Sequence, residues 1–287
     1  MHDITFRYKT SSKAKKVEEV HLKVAASWNE LTSGQLLEII RIQLASLPGD
    51  PKVAYHLKNL QLLKTLLGIK WVIIHQFTGV QRLGLYLLLD FLGTVGLTKQ
   101  LVPLLTCRAQ KTLSAEELHG PSERFRNLTF AEFIYCDTLF SFFCKTDKII
   151  FLEKLIACLY RPQRTDYDPK SPTYKGDIRQ DFNEHLIEGR LPLIEALPLH
   201  VKFAVLAWYR GCRKELEQRY DKVFTESNQI KAAEGDWGDV LLSLSGEKFG
   251  TMEQTSGQRV HTVFKEMQRQ AREHEELRRQ HEMNNHR

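Results

Sequence analysis

A short acidic segment holds the residue types that could bind a divalent cation. Asp177, Asp181, Glu184, His185 and Glu188 lie within twelve residues of one another. On one helix, Asp177, Asp181 and His185 would share a face and could hold a cation that activates water. Alternatively, the acidic residues offset the positive end of a helix dipole, and Asp181 with His185 is an ordinary surface pair. We adopt the second interpretation and predict no metal and no cofactor.

Other chemical motifs are weaker still. His281 and His286 flank Glu282, but five residues place two histidines on opposite sides of a helix, whereas zinc needs a spacing of four. The chain has no Walker-type phosphate loop, Rossmann glycine fingerprint, nucleophile elbow or Cys-x-x-Cys pair. The sequence therefore predicts no catalytic residue and a protein that is not an enzyme.

Cysteine usage and hydropathy indicate a reducing, aqueous compartment. The five cysteines are an odd number, and most lie in apolar helical runs, which is typical of free buried thiols. Charged residues interrupt the most apolar stretch, residues 60–105, before it reaches the roughly 18 apolar residues that a membrane span requires. The first ten residues lack the apolar core of a signal peptide. We expect a cytoplasmic protein without a membrane segment.

Positive charge is concentrated in the first third. Residues 1–111 contain 15 Lys and Arg against 7 Asp and Glu, whereas the remainder contains 26 against 28. Such a basic region could face nucleic acid or an acidic partner. The only dense cluster, however, is formed by lysines 9, 13, 15 and 16 beside a turn, where a solvated loop explains it. Nucleic-acid binding therefore remains the less favoured alternative.

Periodicity defines the elements. Residues 4–8 and 20–24 alternate as a β-hairpin would, and Thr32 with Gln35 forms a capping box. Helical patterns then cover residues 33–47, 52–67, 80–92, 97–106, 129–144 and 147–160, and residues 69–77 are rich enough in β-branched and aromatic types for a third strand. Further helices fit residues 177–188, 198–220, 237–245 and 258–287.

The order of these elements predicts the organisation of the chain. Residues 1–160 form a β-hairpin plus a helical domain, residues 161–176, with three prolines, form a linker loop, and residues 177–287 form a helical domain that ends in a charged helix. The predicted fold class is mainly α: a multi-helix globular protein with a small N-terminal β element and a protruding C-terminal helix.

Gly211 interrupts the longest apolar helix. A glycine inside a helix costs roughly 1 kcal/mol relative to alanine, so its presence indicates a packing requirement. We predict that another backbone approaches closely at this position.

The last helix is predicted to contact a partner. Its apolar stripe, which includes Val260, Phe264 and Met267, ends after Ala271. Beyond it, charged residues, among them Arg272, Arg278 and Arg279, continue the helix. A solvated tail is the favoured explanation of this pattern, and a helix that docks on a partner is the alternative. The predicted partner-binding residues are Val260, Phe264, Met267, Arg272, Arg278 and Arg279.

Several motifs support a resemblance. They are Trp28–Thr32, Asn127–Phe133, Leu159–Pro162, Gly176–Arg179 with Phe182–Glu184, and Trp208–Arg213. In this order they resemble an uncharacterised family of tail-region proteins from phages and prophages of gut anaerobic bacteria. The C-terminal part, from Gly235-Asp236-Trp237 to Phe264, resembles phage tail assembly chaperones.

The resemblance implies a function. Chaperones of this kind bind the tape-measure protein, keep its apolar helices soluble and help tail polymerisation begin. We therefore expect a non-enzymatic, protein-binding assembly factor in the cytoplasm of a bacterial host cell, with tail proteins, and the tape measure in particular, as partners. The alternatives are a structural tail component and, less favoured, a nucleic-acid-binding protein.

Overall fold

A computed structural model describes residues 1–9, 17–108, 115–172, 174, 176–224, 237–246 and 249–285. The chain divides into two compact units: the first contains residues 1–101 and 198–211, and the second contains residues 102–197 and 212–287. This division differs from the predicted one, because residues 161–176 lie within the second unit and the first half of the longest core helix belongs to the first.

Helices dominate the described part of the chain, as predicted. They are α1 (Ser33–Leu44), α2 (Pro51–Leu67), α3 (Trp71–Ile74), α4 (Gly79–Tyr86), α5 (Phe130–Thr146), α6 (Ile149–Leu159), α7 (Ile187–Glu195), α8 (Leu199–Arg219), α9 (Trp237–Leu244), α10 (Met252–Ser256) and α11 (Val260–Asn285). None of the described helices combines the length and the apolar character that crossing a bilayer requires.

The predicted hairpin is confirmed. Strand β1 (His2–Lys9) pairs antiparallel with β2 (Val17–Val24), and Ile4 lies opposite Leu22. A second antiparallel pair, β3 (Leu104–Cys107) with β4 (Glu116–His119), was not predicted. The helix predicted over residues 97–106 is therefore wrong. Pro103 offers the physical reason, because it fixes its own backbone and disfavours helical geometry in the residue before it.

Helix ends follow the predicted chemistry. The Thr32 hydroxyl accepts from the Gln35 amide at the start of α1 and forms the predicted capping box. Asp50 caps α2, whose first residue is Pro51, and Gly68 ends α2 in the left-handed conformation at φ 66°. These local contacts explain why the sequence defines the bounds of the long helices well.

The strand predicted over residues 69–77 is a helix instead. The Lys70 carbonyl accepts hydrogen bonds from the amides of Ile73 and Ile74, which closes the turn of α3. Ile73 and Ile74 are both buried, whereas Trp71 and Val72 are both exposed, so burial does not alternate as it would in a strand. Packing has overridden the β propensity of this segment.

Each unit has its own apolar core. In the first unit, residues buried on α1, α2 and α8 include Leu36, Ile39, Leu63 and Val205. In the second unit, an aromatic cluster joins α5, α9 and α11: the Phe133 ring centroid lies 5.1 Å from that of Phe264 and 5.5 Å from that of Trp237. The cluster fixes the first turns of α11 in the second unit.

Candidate functional site

The acidic segment does not form the predicted helix. Backbone hydrogen bonds from Arg164 to Ile178 and from Gln180 to Pro162 pair residues 178–180 with residues 162–164. A 3₁₀ turn begins only at Glu184, and α7 follows it. The prediction failed because acidic residues are typical of helix starts, whereas the pairing depends on a partner more than ten residues away.

The candidate metal ligands consequently lie apart. The Asp177 side chain is turned to Arg179, Asp181 is 85% exposed and pairs with Arg164 at 2.8 Å, and His185 is exposed on the 3₁₀ turn. The described residues contain no group of three or more His, Cys, Asp or Glu side chains that could hold a metal.

Buried charges form a network nearby. The Glu132 carboxylate, fully buried in the first turn of α5, receives Arg161 at 2.9 Å and Arg179 at 2.6 Å. Arg179 also pairs with Asp177 at 2.8 Å, so the network contains two carboxylates and two guanidinium groups. The remaining donors reach main-chain carbonyls: Arg161 those of Cys158 and Gln180, and Arg179 that of Leu159.

Neighbouring charges favour the ionised forms of Asp177 and Arg179. Burial opposes ionisation of Asp177, but hydrogen bonds and charge from Arg179 outweigh it and lower the pKa of this carboxyl. Burial likewise opposes the charge on Arg179, yet the neighbouring Glu132 carboxylate raises the pKa of its guanidinium. Charges paired so completely fix α5 to residues 161–163 and 177–180, and their donors are occupied by protein atoms.

Sequence reasoning missed this network, although its pattern was visible. Glu132 precedes Cys136 and Leu139 by four and seven residues, so the three share a helix face, and both apolar members are buried. All four charged members lie in motifs that support the phage-tail resemblance. Those motifs are therefore segments that fold against one another.

Burial disfavours ionisation of three of the thiols. Burial raises the pKa of Cys107 to about 11 and also raises the pKa values of Cys136 and Cys212. Cys136 Sγ lies 3.2 Å from Cys158 Sγ between α5 and α6, and both side chains are fully buried. Cys144, in contrast, is exposed.

The predicted partner residues on α11 separate into two groups. Val260 and Phe264 are completely buried in the second unit, so a partner could not touch them in the folded chain. Met267 is half-buried, and Arg272, Arg278 and Arg279 are exposed. Of the six predicted partner residues, these four are therefore the ones that a partner could contact.

A groove of about 830 Å³ runs along α11. Its walls include Tyr220, Phe249, Gln268 and Arg272. An ion pair of 2.9 Å between Lys222, which follows α8, and Glu275 links the second half of α11 to the rest of the second unit. Beyond Arg272, the described side chains are exposed apart from Glu275, which is partly covered.

The first unit exposes an apolar ridge, the α4 ridge, which is formed by α4 and by the first residue of the 3₁₀ helix (Leu87–Gly93) that follows it. Val80 is 81%, Leu83 66% and Leu87 70% exposed. Spacings of three and four residues place all three on one face, together with Gly84. A Cβ added at Gly84 would meet no atom within 4 Å, so the space above this glycine is open.

The ridge continues toward α2. The Tyr86 hydroxyl lies 3.0 Å from His56 Nδ1, which joins the end of α4 to α2. On either side of His56, Val53 is 57% and Leu57 45% exposed. Sequence reasoning identified α4 only as a helix, because periodicity shows which face is apolar but not whether another element covers it.

Comparisons with known proteins give no further guide. A scan against protein-family models and searches of curated proteins and of solved structures found no match.

Proposed function

We propose that this protein is a non-enzymatic assembly factor that binds a helical segment of another protein. The observation that supports this function best is the α4 ridge. Val80, Leu83 and Gly84 on α4 and Leu87, at the start of the following 3₁₀ helix, occupy positions i, i+3, i+4 and i+7. These are the four positions that surround a knob side chain when two helices pack. Because Gly84 has no side chain, the hole between the other three residues has room for a large apolar side chain.

Burial of the ridge supplies the driving force. Covering an exposed Val or Leu side chain is worth about 1.5–3 kcal/mol, and the ridge offers three such side chains. Contiguous apolar surface rimmed by polar residues is typical of interaction sites, whereas isolated exposed apolar residues are ordinary. A helix with its own apolar stripe is the occupant whose shape fits the hole.

Charge narrows the chemistry of the partner. The first unit contains 15 Lys and Arg against 7 Asp and Glu, a net charge of +8, whereas the second unit is at −2. A partner helix with acidic residues beside its apolar stripe would therefore be attracted to the first unit. The same charge would also attract nucleic acid, but binding of nucleic acid would not explain the apolar ridge.

The finer proposal is a phage tail assembly chaperone. It rests on the resemblance of the motifs, and the tape-measure protein, whose apolar helices need a soluble partner, is the proposed ligand. A structural tail component is the alternative. The two differ in whether the protein is present in finished tails. A chaperone leaves the finished particle, whereas a structural component is recovered in purified tails.

Co-expression with a tape-measure protein and other phage tail proteins tests the proposal. We expect the wild-type protein to co-purify with one of them and Leu83→Asp to lose it. Leu242→Asp is the matched control, because Leu242 is 62% exposed on α9 in the second unit. Equal recovery with both variants, or recovery of nucleic acid alone, would contradict helix binding through the ridge.

A further inference from the structure

The outer edge of β1 is open to hydrogen bonding. In an antiparallel pair, alternate residues direct both backbone groups toward the neighbouring strand and the residues between them direct both away. The Lys9 amide donates to Gln76 Oε1 at 2.8 Å, and the Lys9 carbonyl accepts from Gln76 Nε2 at 2.7 Å. The backbone groups of Lys9 therefore point away from β2.

The bonds to Gln76 show which residues of β1 direct their backbone amides and carbonyls away from β2. The side-chain amide of Gln76 makes the same two bonds that one residue of an antiparallel third strand would make. By alternation, Asp3, Thr5 and Arg7 also present their amides and carbonyls outward. No other element hydrogen-bonds to the backbone of these three within the part of the chain that the structure describes. Such an edge is ready to pair with another strand.

The side chains on this edge fit a second copy of β1. Asp3 and Arg7 lie two residues before and two residues after Thr5. In an antiparallel pair centred on Thr5, each Asp3 lies opposite the Arg7 of the other copy. Centring on Arg7 would oppose two like charges. Centring on Phe6 would place Asp3 opposite Lys9, whose backbone groups Gln76 already occupies, whereas centring on Thr5 places only Met1, outside β1, opposite Lys9.

The charges continue across the hairpins. Within one chain, Asp3 is opposite Lys23, and Arg7 is opposite Glu19 with a hydrogen bond of 3.1 Å. A four-stranded sheet with β1 strands in its middle would place Lys23, Asp3, Arg7 and Glu19 side by side, the last two from the second copy. Every neighbour in that row has the opposite charge, which favours this register.

The other face of the sheet is apolar. Ile4 and Phe6 point away from Asp3, Thr5 and Arg7, and both are partly exposed. In the Thr5-centred register, Ile4 of each copy lies opposite Phe6 of the other. Pairing would thus cover apolar surface that the hairpin alone leaves accessible to water.

We infer that two copies of this chain associate through their β1 strands, which pair antiparallel about Thr5 to form a four-stranded sheet. The arrangement is a two-fold, isologous interface. Asp3 of each copy contacts Arg7 of the other, so the same ion pair forms twice. Charged residues on an edge strand usually oppose such pairing. Here they favour it, because reversal of the strand exchanges their positions. This inference does not depend on the proposed function.

Charge exchange tests the inference. The wild-type protein is examined by sedimentation velocity and native mass spectrometry up to about 0.2 mM, which covers the range of small, weak interfaces. We expect a dimer in equilibrium with monomer. Arg7→Asp leaves only acidic residues at positions 3 and 7, and Asp3→Arg leaves only basic ones, so each variant alone should be monomeric at concentrations where the wild type dimerises.

Mixing the two variants provides the decisive measurement. Each Arg of one chain then faces an Asp of the other, so we expect a heterodimer, although both chains keep the mismatches within their own hairpins. Circular dichroism checks that each variant is folded. The inference is overturned by a wild type that stays monomeric, by a dimer that either single variant leaves intact, or by a mixture that fails to associate.

Discussion

The two units treat their chemically demanding residues in opposite ways. In the second unit, the network around Glu132 pairs two carboxylates and two guanidinium groups with protein atoms, and of these four side chains only that of Asp177 is more than 2% exposed. The first unit leaves Val80, Leu83 and Leu87 in contact with water. The network satisfies the charges that it buries, whereas the ridge exposes apolar side chains whose burial would be favourable.

This difference indicates where to look for function. The charged residues of the buried network have a structural role, since each of them has a partner and the pairs hold the fold together. No contact described within the first unit explains the exposed apolar side chains of the α4 ridge. An exposed arrangement that stabilises nothing in its own unit is better explained by a molecule that covers it.

Removing the Glu132 charge should produce the largest effect. In Glu132→Gln, two buried guanidinium groups lose their shared carboxylate, and breaking a buried ion pair from one side costs about 3–5 kcal/mol. We expect a correspondingly large drop in the free energy of unfolding, measured by urea denaturation. Asp181→Asn is the control, because it removes an ion pair of the same segment whose carboxylate is 85% exposed. Equal losses in both variants would show that the network does not hold the second unit together.

Gly211→Leu tests packing inside the first unit. A Cβ at this position would lie 2.6 Å from the Leu97 carbonyl carbon, so α8 or the backbone at Leu97 must move. We expect destabilisation of about 1–3 kcal/mol or more, measured as a lower melting temperature. Gly84→Leu is the matched control, since it adds the same side chain to a helical glycine that has open space above it. A melting temperature that Gly211→Leu leaves unchanged would contradict the close approach.

Local chemistry was readable from the sequence, whereas long-range pairing was not. The glycine in an apolar helix predicted the close approach that Leu97 makes at Gly211, and Thr32 with Gln35 predicted the start of α1. In contrast, Arg179 was assigned to a helix because its pairing with residues 162–164 has no local signature. The ridge escaped prediction for a related reason: exposure depends on the absence of a cover, and no pattern within α4 reports it.

Substitutions at Gly84 should separate stability from binding. Gly84→Ala should raise the stability of the first unit by roughly 0.5–1 kcal/mol, because glycine inside a helix is the more flexible residue in the unfolded chain. Gly84→Leu fills the hole between Val80 and Leu87 and should abolish partner binding, measured by co-purification. Gly34→Leu is the control, since Gly34 is also an exposed helical glycine without neighbouring atoms. Undiminished binding by Gly84→Leu would show that no side chain enters the hole.

Deleting residues 272–287 should have the smallest effect on stability. The aromatic contacts of Phe264 remain, and the deletion mainly removes the ion pair between Lys222 and Glu275. Lys222, followed by Arg279, lowers the pKa of Glu275, but both partners of the pair are partly exposed to water, which weakens such pairs. We expect the melting temperature to change by less than about 3 °C, and hydrogen exchange beyond Ala271 to be fast in the isolated wild-type protein.

The deletion also ranks the two candidate partner surfaces. It removes Arg278 and Arg279 and, with Arg272, Glu273 and Glu276, one end of the lining that α11 gives the groove. If the ridge is the main contact, the deletion should weaken co-purification less than Leu83→Asp does. Lys222→Ala is the control for the ion pair alone, because it leaves the helix intact. Loss of the partner on deletion, with full binding by Leu83→Asp, would move the interaction from the exposed ridge of the first unit to the charged helix of the second.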